Sequence, residues 1–194
     1  MKKIIFVLVL VFASVFASAQ AKQGDVNFGV TGGANLSNFK GEGTDNVDYG
    51  SRTALMAGAL MRYHITQMLG LQIALAYGGH GAEYQSAKYK FSSLFLPIMA
   101  TYFISSFYLQ TGPQLGFLLG AKQEFNGNEH DIKDSYRSLH FAWLLGLGYM
   151  ITQNLGLEAR YNFGIGSMLE DGNHPSISNS IFTIGLVYLL SVKK

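Results

Sequence analysis

The feature that most constrains the fold of this chain is a strict alternation of residue types along two stretches. From Leu69 to Gly78, every odd position is large and apolar and every even position is small or polar. From Leu155 to Gly166 the alternation recurs, with Glu158 and Arg160 on even positions. A period of two residues indicates β-strands, because successive side chains point to opposite faces. One apolar and one polar face is typical of a transmembrane β-barrel strand.

Two long stretches without Asp, Glu, Lys or Arg offer the alternative of transmembrane helices. They are Phe91–Ala121 and Ser138–Leu157. A helix in the first would have to include Pro97 and Pro113, which both remove a backbone donor and kink a helix. The interruptions and the period of two both favour strands.

Composition supports a membrane protein of this kind. Charged residues make up 13% of the chain and hydrophobic types 48%, and this share of charge is roughly half of the usual one. The chain is therefore neither disordered nor an ordinary soluble domain. It has no cysteine, which excludes disulfide scaffolds, thiolate metal centres and a lipid-modified N-terminal cysteine.

The first 19 residues are predicted to be a cleaved signal peptide, followed by one barrel domain over residues 20–194. A basic start, Met1–Lys3, precedes the apolar stretch Ile4–Ala17, and Ala17–Ala19 has the small-x-small cleavage pattern. A retained membrane anchor is the alternative, but the stretch is shorter than the roughly 20 residues that a helix needs to span a bilayer.

Cleavage of the signal peptide would also bring the net charge of the chain to zero. The chain has 14 basic and 12 acidic residues, and Lys2 and Lys3 leave with the signal peptide. The mature domain then carries 12 of each sign. No basic patch remains to suggest nucleic acid as a partner.

Eight strands follow from the alternation, which predicts an all-β, antiparallel, up-and-down transmembrane barrel. Their predicted bounds are Asp25–Leu36, Arg52–His64, Leu69–Gly79, Phe91–Ile104, Phe107–Ala121, Leu139–Ile151, Leu155–Met168 and Ser178–Ser191. Short periplasmic turns alternate with longer extracellular loops, as in outer-membrane barrels. The longer loops are predicted at Asn38–Ser51, His80–Lys90, Lys122–Ser138 and Leu169–Ile177.

Aromatic residues and an internal repeat fix the register of these strands. The heptapeptide from Ile65 to Leu71 recurs, with one change, from Ile151 to Leu157, each time as a turn between two strands. Aromatic side chains also fall in phase at the periplasmic ends of the strands, where a membrane barrel is anchored by a girdle of rings. The predicted periplasmic girdle consists of Tyr63, Tyr102, Phe107, Tyr149 and Tyr188.

Four motifs resemble the outer-membrane β-barrel domain family common in Bacteroidetes, the PorT-like family. They are Phe28–Ser37, Leu94–Ile98, Gln110–Gly116 and Leu157–Tyr161. The resemblance covers essentially the whole mature chain and implies an eight-stranded outer-membrane barrel. PorT itself is implicated in type IX secretion and gliding. The chain departs from the usual terminal aromatic of such barrels, because Leu190 takes that place.

A polar cluster is predicted inside the barrel. Arg62, Glu158 and Arg160 all fall on the inward register, and ionised groups at membrane depth face the interior and pair with one another. The whole predicted cluster comprises Arg62, Gln72, Gln110, Gln114, Glu158, Arg160 and Asn162. It is either a structural plug or a gate whose ion pair switches partners.

An enzyme that modifies lipids is a third alternative. Catalysis of this type needs a nucleophile within hydrogen-bond reach of a base. His80, with Glu83 and Ser86 nearby, follows the third predicted strand at the outer rim, where a site facing lipid could form, and His174 lies close to Ser176. His64 and His140 fall on the inward register instead. Spacing in a loop does not establish geometry, so we predict no catalytic site.

The acidic sequence Glu129-His130-Asp131 is the nearest approach to a metal site, and a solvated loop explains it better. The loop Lys122–Ser138 could instead bind a partner, because recognition usually resides in loops on a rigid scaffold. The loop Asn38–Ser51 is expected to be mobile. We predict no metal or cofactor.

These observations favour a monomeric, non-catalytic structural or accessory protein of the outer membrane. Its expected contacts are outer-membrane lipid and a protein of the envelope or of a secretion machinery. The alternative is a loop-mediated binder or a PorT-like accessory protein of type IX secretion.

Overall fold

A closed antiparallel barrel is the architecture of the chain in the computed structural model, which describes residues 23–41, 50–84, 87–125, 128–165 and 177–190. The strands are β1 (Val26–Gly41), β2 (Gly50–His64), β3 (Leu69–Tyr84), β4 (Ala87–Ile104), β5 (Phe107–Phe125), β6 (Asn128–Asp131), β7 (Leu139–Met150), β8 (Leu155–Ile165) and β9 (Ile177–Leu190). The eight long strands pair in chain order, and β1 closes the ring against β9. Short β6 pairs with the end of β5. The predicted eight-stranded barrel is confirmed.

The alternation along each strand separates a lipid face from a lumen face. Leu145 and Leu147 on β7 point outward and are exposed, as are most large apolar side chains of the wall. On β3, Gln72 and Ala74 are buried inside while Ile73 lies on the outer face. No helix of the described residues is long and apolar enough to cross a membrane.

The internal repeat folds into the same turn twice. The Thr66 hydroxyl accepts a hydrogen bond from the amide of Leu69 at 2.9 Å, and that of Thr152 accepts one from Leu155, also at 2.9 Å. The amide of each threonine in turn donates to the carbonyl of the same leucine. A threonine side chain that closes its own turn explains why the same heptapeptide forms the same turn at both places.

At the extracellular end the strands are longer than predicted, and this corrects two of the loops. The predicted loop His80–Lys90 is instead the paired ends of β3 and β4, which only residues 85 and 86 separate. The predicted loop Lys122–Ser138 contains the end of β5, all of β6 and a 3-10 turn at Lys133–Ser135. Pairing continues where the apolar outer face stops, and inward side chains such as Ala82 and Phe91 form a buried apolar cluster there.

Several predictions lie outside the described residues. These are the signal peptide, Ser86, His174, Ser176, residues 42–49 of the first loop and most of the loop Leu169–Ile177. The seventh predicted strand is described only up to residue 165, and the eighth only up to residue 190.

Candidate functional site

The lumen is where the chain concentrates polar side chains. All seven residues of the predicted cluster point inward, and none is more than 7% exposed. They come from four strands, since β2 and β3 supply Arg62 and Gln72, β5 supplies two glutamines, and β8 supplies the other three. Positions two apart on one strand share a face, which is why three residues of β8 enter the lumen together.

An ion-pair network forms near the periplasmic end. One carboxylate oxygen of Glu158 binds Arg160, and the other lies 3.5 Å from a guanidinium nitrogen of Arg62. Arg62 also donates to the side-chain oxygen of Gln72 at 2.7 Å. We call Arg62, Glu158 and Arg160 the buried network. Two guanidinium groups thus share a single carboxylate.

Aromatic rings hold the buried network in place. The Tyr108 hydroxyl donates to Glu158 at 2.7 Å. The Arg62 guanidinium lies over the rings of Tyr108 and Phe103, 4.6 Å and 5.5 Å from their centroids. Such cation–π contacts stabilise a desolvated cation. Neither ring was predicted from the sequence, although Tyr108 shares the parity of Gln110 and could have been found from it.

The middle of the lumen holds a small cavity of about 20 Å³, lined by both polar and apolar side chains. Its lining residues include Asn35, Gln114, Arg160, Asn162 and Thr183. The Thr183 hydroxyl donates to Asn35 at 2.8 Å, which connects β9 with β1 across the closure of the barrel. This volume accommodates one water-sized particle.

Histidine and aromatic rings fill the extracellular end. His80 stacks on Phe91 with centroids 5.4 Å apart and lies 5.9 Å from the His140 ring. Its Nε2 is 2.9 Å from the Ser93 hydroxyl oxygen. The prediction that His80 begins a loop at the outer rim is therefore wrong, because β3 continues through this residue and the side chain is fully buried in the lumen.

The predicted inward orientation of the other two histidines agrees with the structure. His64 stacks on Phe103 at the periplasmic end with centroids 4.7 Å apart. His140 lies beneath Gly116, where a Cβ atom would collide with the imidazole ring. A glycine is required there because the ring occupies the space that a side chain would take.

A short segment after β6 covers the extracellular mouth. Ile132 donates its amide to the carbonyl of Ala121 at 3.0 Å, and both Ile132 and Tyr136 pack on the apolar cluster around Phe91. The Tyr136 ring meets Phe91 edge-on at 4.9 Å. Part of the predicted binding loop therefore closes the barrel.

A second set of ion pairs lies outside the barrel, above the membrane. Glu129 on β6 binds Lys122 at 2.9 Å and Lys90 at 3.0 Å, and Lys90 also binds Glu124 at 2.5 Å. We call these four residues the exposed network. Hydrogen bonds from Lys122 and Lys90 lower the pKa of Glu129 to about 2. Among the described residues, no three His, Asp or Glu side chains converge as a metal site would require.

The predicted aromatic girdle lies on the outer face at the periplasmic end. Tyr63, Tyr102, Phe107 and Tyr188 are exposed there. Tyr149 packs against Phe107, with ring centroids 4.7 Å apart. Rings with an apolar body and a polar tip suit the level of the lipid headgroups.

The family follows from a comparison with known domains. The profile of the outer membrane protein beta-barrel domain matches residues 16–170. The chain belongs to this family. Membership assigns the barrel to the outer membrane, in keeping with its apolar outer face. None of the curated proteins compared by sequence matches the chain.

Solved structures of outer-membrane barrels share this architecture. Neisserial surface protein A is 17% identical, with a TM-score of 0.58 over 84% of this chain and 98% of that one. The attachment invasion locus protein Ail of Yersinia pestis is 18% identical, with a TM-score of 0.53 over 87% of this chain and 99% of that one. At these identities the likeness shows the fold.

Proposed function

We propose that this chain is a non-catalytic structural or accessory protein of the outer membrane, exported by a signal peptide that is cleaved after Ala19. It works as a monomeric scaffold surrounded by lipid. The observation that carries the proposal is the packing of the lumen. Hydrogen-bonded side chains fill it at both ends, and the cavity between them measures about 20 Å³.

Physical considerations support a scaffold over a channel. The interior of an eight-stranded barrel is just wide enough for its own side chains. Here the buried network and its rings fill one level, and His80, Phe91 and Tyr136 fill another. An ion crossing the lumen would have to displace both levels.

Conductance in planar lipid bilayers tests this function. We expect no single-channel steps from the wild type or from Glu158→Ala, with Glu158→Gln as a control that keeps the side-chain volume. Steps in the wild type would overturn the scaffold proposal. Steps in Glu158→Ala alone would favour the gate, in which Glu158 exchanges Arg62 for Arg160.

The position of His80 argues against a lipid-modifying enzyme. Its imidazole is enclosed by Phe91, Phe95 and His140 and contacts Ser93 within the lumen. A lipid acyl chain on the outer face cannot reach this pair through the barrel wall. We expect the lipid composition of cells to be the same with wild type and with His80→Ala.

A second candidate function is recognition of an envelope partner by the sheet above the membrane. Strands β4, β5 and β6 pair beyond the lipid, and the exposed network ties their side chains together. An ordered surface of this kind supports a binding role. The PorT-like resemblance would make the partner a component of type IX secretion in a Bacteroidetes envelope.

Crosslinking in intact outer membranes tests this second candidate. Deletion of Asn126–Asp134 should remove the captured neighbours, whereas Gln153→Glu in a periplasmic turn should leave them unchanged. The same neighbours with and without the deletion would reduce this segment to a cover for the barrel.

A further inference from the structure

We infer that the sheet above the membrane binds an uncharged saccharide on the face that continues the lumen side of the barrel. The pairing of β4, β5 and β6 brings five side chains to this face. Tyr89 of β4 pairs with Gln123 of β5, which pairs in turn with His130 of β6. One step further along, Phe125 pairs with Asn128. Residues paired across neighbouring strands share a face, and we call these five residues the aromatic face.

The aromatic face begins where the packed lumen ends. Tyr89 packs on the buried apolar cluster around Phe91, beside the segment that covers the mouth of the barrel. Phe125 lies one step further out, beyond the lipid, and its side chain is 51% exposed. Asn128 and His130 are exposed as well. A ligand at the cell surface can therefore reach these side chains without opening the barrel.

Charge is confined to the opposite face of the same strands. The paired ends of β4, β5 and β6 carry six charged side chains, all at the alternate positions. They are Lys88, Lys90, Lys122, Glu124, Glu129 and Asp131. None of the five residues of the aromatic face has a carboxylate, an ammonium or a guanidinium group. A phosphate, a sulfate or a charged peptide would find no opposite charge there, so the ligand that matches is uncharged.

The groups on the aromatic face suit a sugar ring. A pyranose has a patch of C–H groups on one side and hydroxyl groups around its rim. The exposed Phe125 ring offers an apolar surface for the C–H patch. The amides of Gln123 and Asn128 and the imidazole of His130 carry the donors and acceptors that hydroxyl groups need. The Gln123 amide also donates to the Tyr89 hydroxyl at 3.3 Å, which connects the polar groups with the second ring.

A saccharide matches this surface better than a lipid chain or an apolar peptide side chain. An apolar ligand would cover the rings, but it would also cover amide and imidazole groups without giving them hydrogen bonds, which costs free energy. A sugar offers both kinds of surface at once. The site does not involve the lumen, so it is independent of the scaffold function. It lies opposite the exposed network and gives the sheet above the membrane a ligand other than a protein.

A glycan array tests the class of ligand. The wild-type barrel in lipid nanodiscs is applied to neutral oligosaccharides of glucose, galactose, mannose and N-acetylglucosamine, with sulfated forms of the same sugars beside them. We expect retention on at least one neutral oligosaccharide. Retention on sulfated sugars alone, or on no sugar, would overturn the proposal.

Three variants test which face is used, with the retained neutral oligosaccharide as titrant in calorimetry. Phe125→Ala should weaken binding about two- to tenfold, the loss expected for one ring contact. Phe125→Tyr keeps the ring and should bind like the wild type. Lys88→Gln changes the opposite face and should leave the dissociation constant unchanged. Heat-modifiable gel mobility shows that each variant is folded. A folded Phe125→Ala barrel with wild-type affinity, or loss of binding in Lys88→Gln, would contradict the assignment of the site.

Discussion

Two networks of ion pairs on this molecule differ in one respect that decides their importance. The buried network inside the barrel has side chains at most 5% exposed, whereas those of the exposed network on β4, β5 and β6 are 31–57% exposed. Water and salt screen charges at a surface, and exposed pairs contribute little. A buried charge that loses its partner has no such relief. Burial, more than the number of pairs, therefore sets what an ion pair contributes to stability.

The largest expected effect comes from removing the shared carboxylate. Glu158→Ala leaves two buried guanidinium groups without an acid and should cost about 3–5 kcal/mol of unfolding free energy. Glu129→Ala in the exposed network should change it little. Urea titration in lipid bilayers measures both. Similar losses in the two variants would break the comparison.

A smaller effect is expected where a charge is placed on the lipid face. Leu145→Arg near the midplane should cost about 2–4 kcal/mol of unfolding free energy.

Ile73→Glu should impair folding in lipid more than Gln72→Glu, because the latter places its carboxylate beside Arg62. The same titration compares these neighbours on β3. If the order were reversed, the assigned faces of β3 would be exchanged.

Two glycines extend the comparison to packing. A Cβ atom at Gly148 would collide with the ring of Tyr108, which binds the buried network, whereas a Cβ at Gly120 near the exposed network meets open space. Overpacking typically costs about 1–3 kcal/mol, and we expect that loss for Gly148→Ala. Gly120→Ala should match the wild type. If Gly148→Ala were as stable as the wild type, the aromatic rings beside the buried network would be able to move aside at little cost.

Acid should produce the smallest effect, and we expect it in the exposed network. The pKa of Glu129 is lowered from 4.5 to about 2, so its ion pairs contribute fully above pH 4.5 and are lost as the pH falls toward 2. Amide hydrogen exchange of Asn128–Asp131, corrected for intrinsic rates, should therefore rise in that interval. In Glu129→Gln, the protection should be low already at neutral pH. A wild-type protection that is flat down to pH 2 would contradict this assignment.

Much of the barrel was predictable because the membrane imposes a simple rule on its wall. Wherever lipid lies on one side and the lumen on the other, alternation gives both strand and face, as for Leu145 and Gln72. The rule ends where lipid ends. Residues from His80 to Tyr84 continue β3 without the alternation of large apolar and polar residues, and β6 consists of polar residues, so neither was predicted.

The inward register was also enough to predict which polar residues share the lumen, but it did not predict the contacts between them. Parity assigns Glu158, Arg160 and Arg62 to the lumen. It cannot tell that Glu158 lies between the two arginines, because this depends on how β2 and β8 face each other across the barrel. Aromatic residues were read as membrane anchors, and for that reason Phe103 and Tyr108 were missed as partners of Arg62.

The most direct test of the difference between the two networks is a pair of double-mutant cycles in one bilayer system. One cycle combines Glu158→Gln with Arg160→Met, and the other combines Glu129→Gln with Lys122→Met. We expect a coupling of about 0.5–3 kcal/mol for the buried pair, which persists when sodium gluconate is raised to about 1 M. The exposed pair should show a smaller coupling that disappears in the same salt. Equal couplings, or a buried coupling that salt removes, would contradict the claim that burial sets the contribution of these ion pairs.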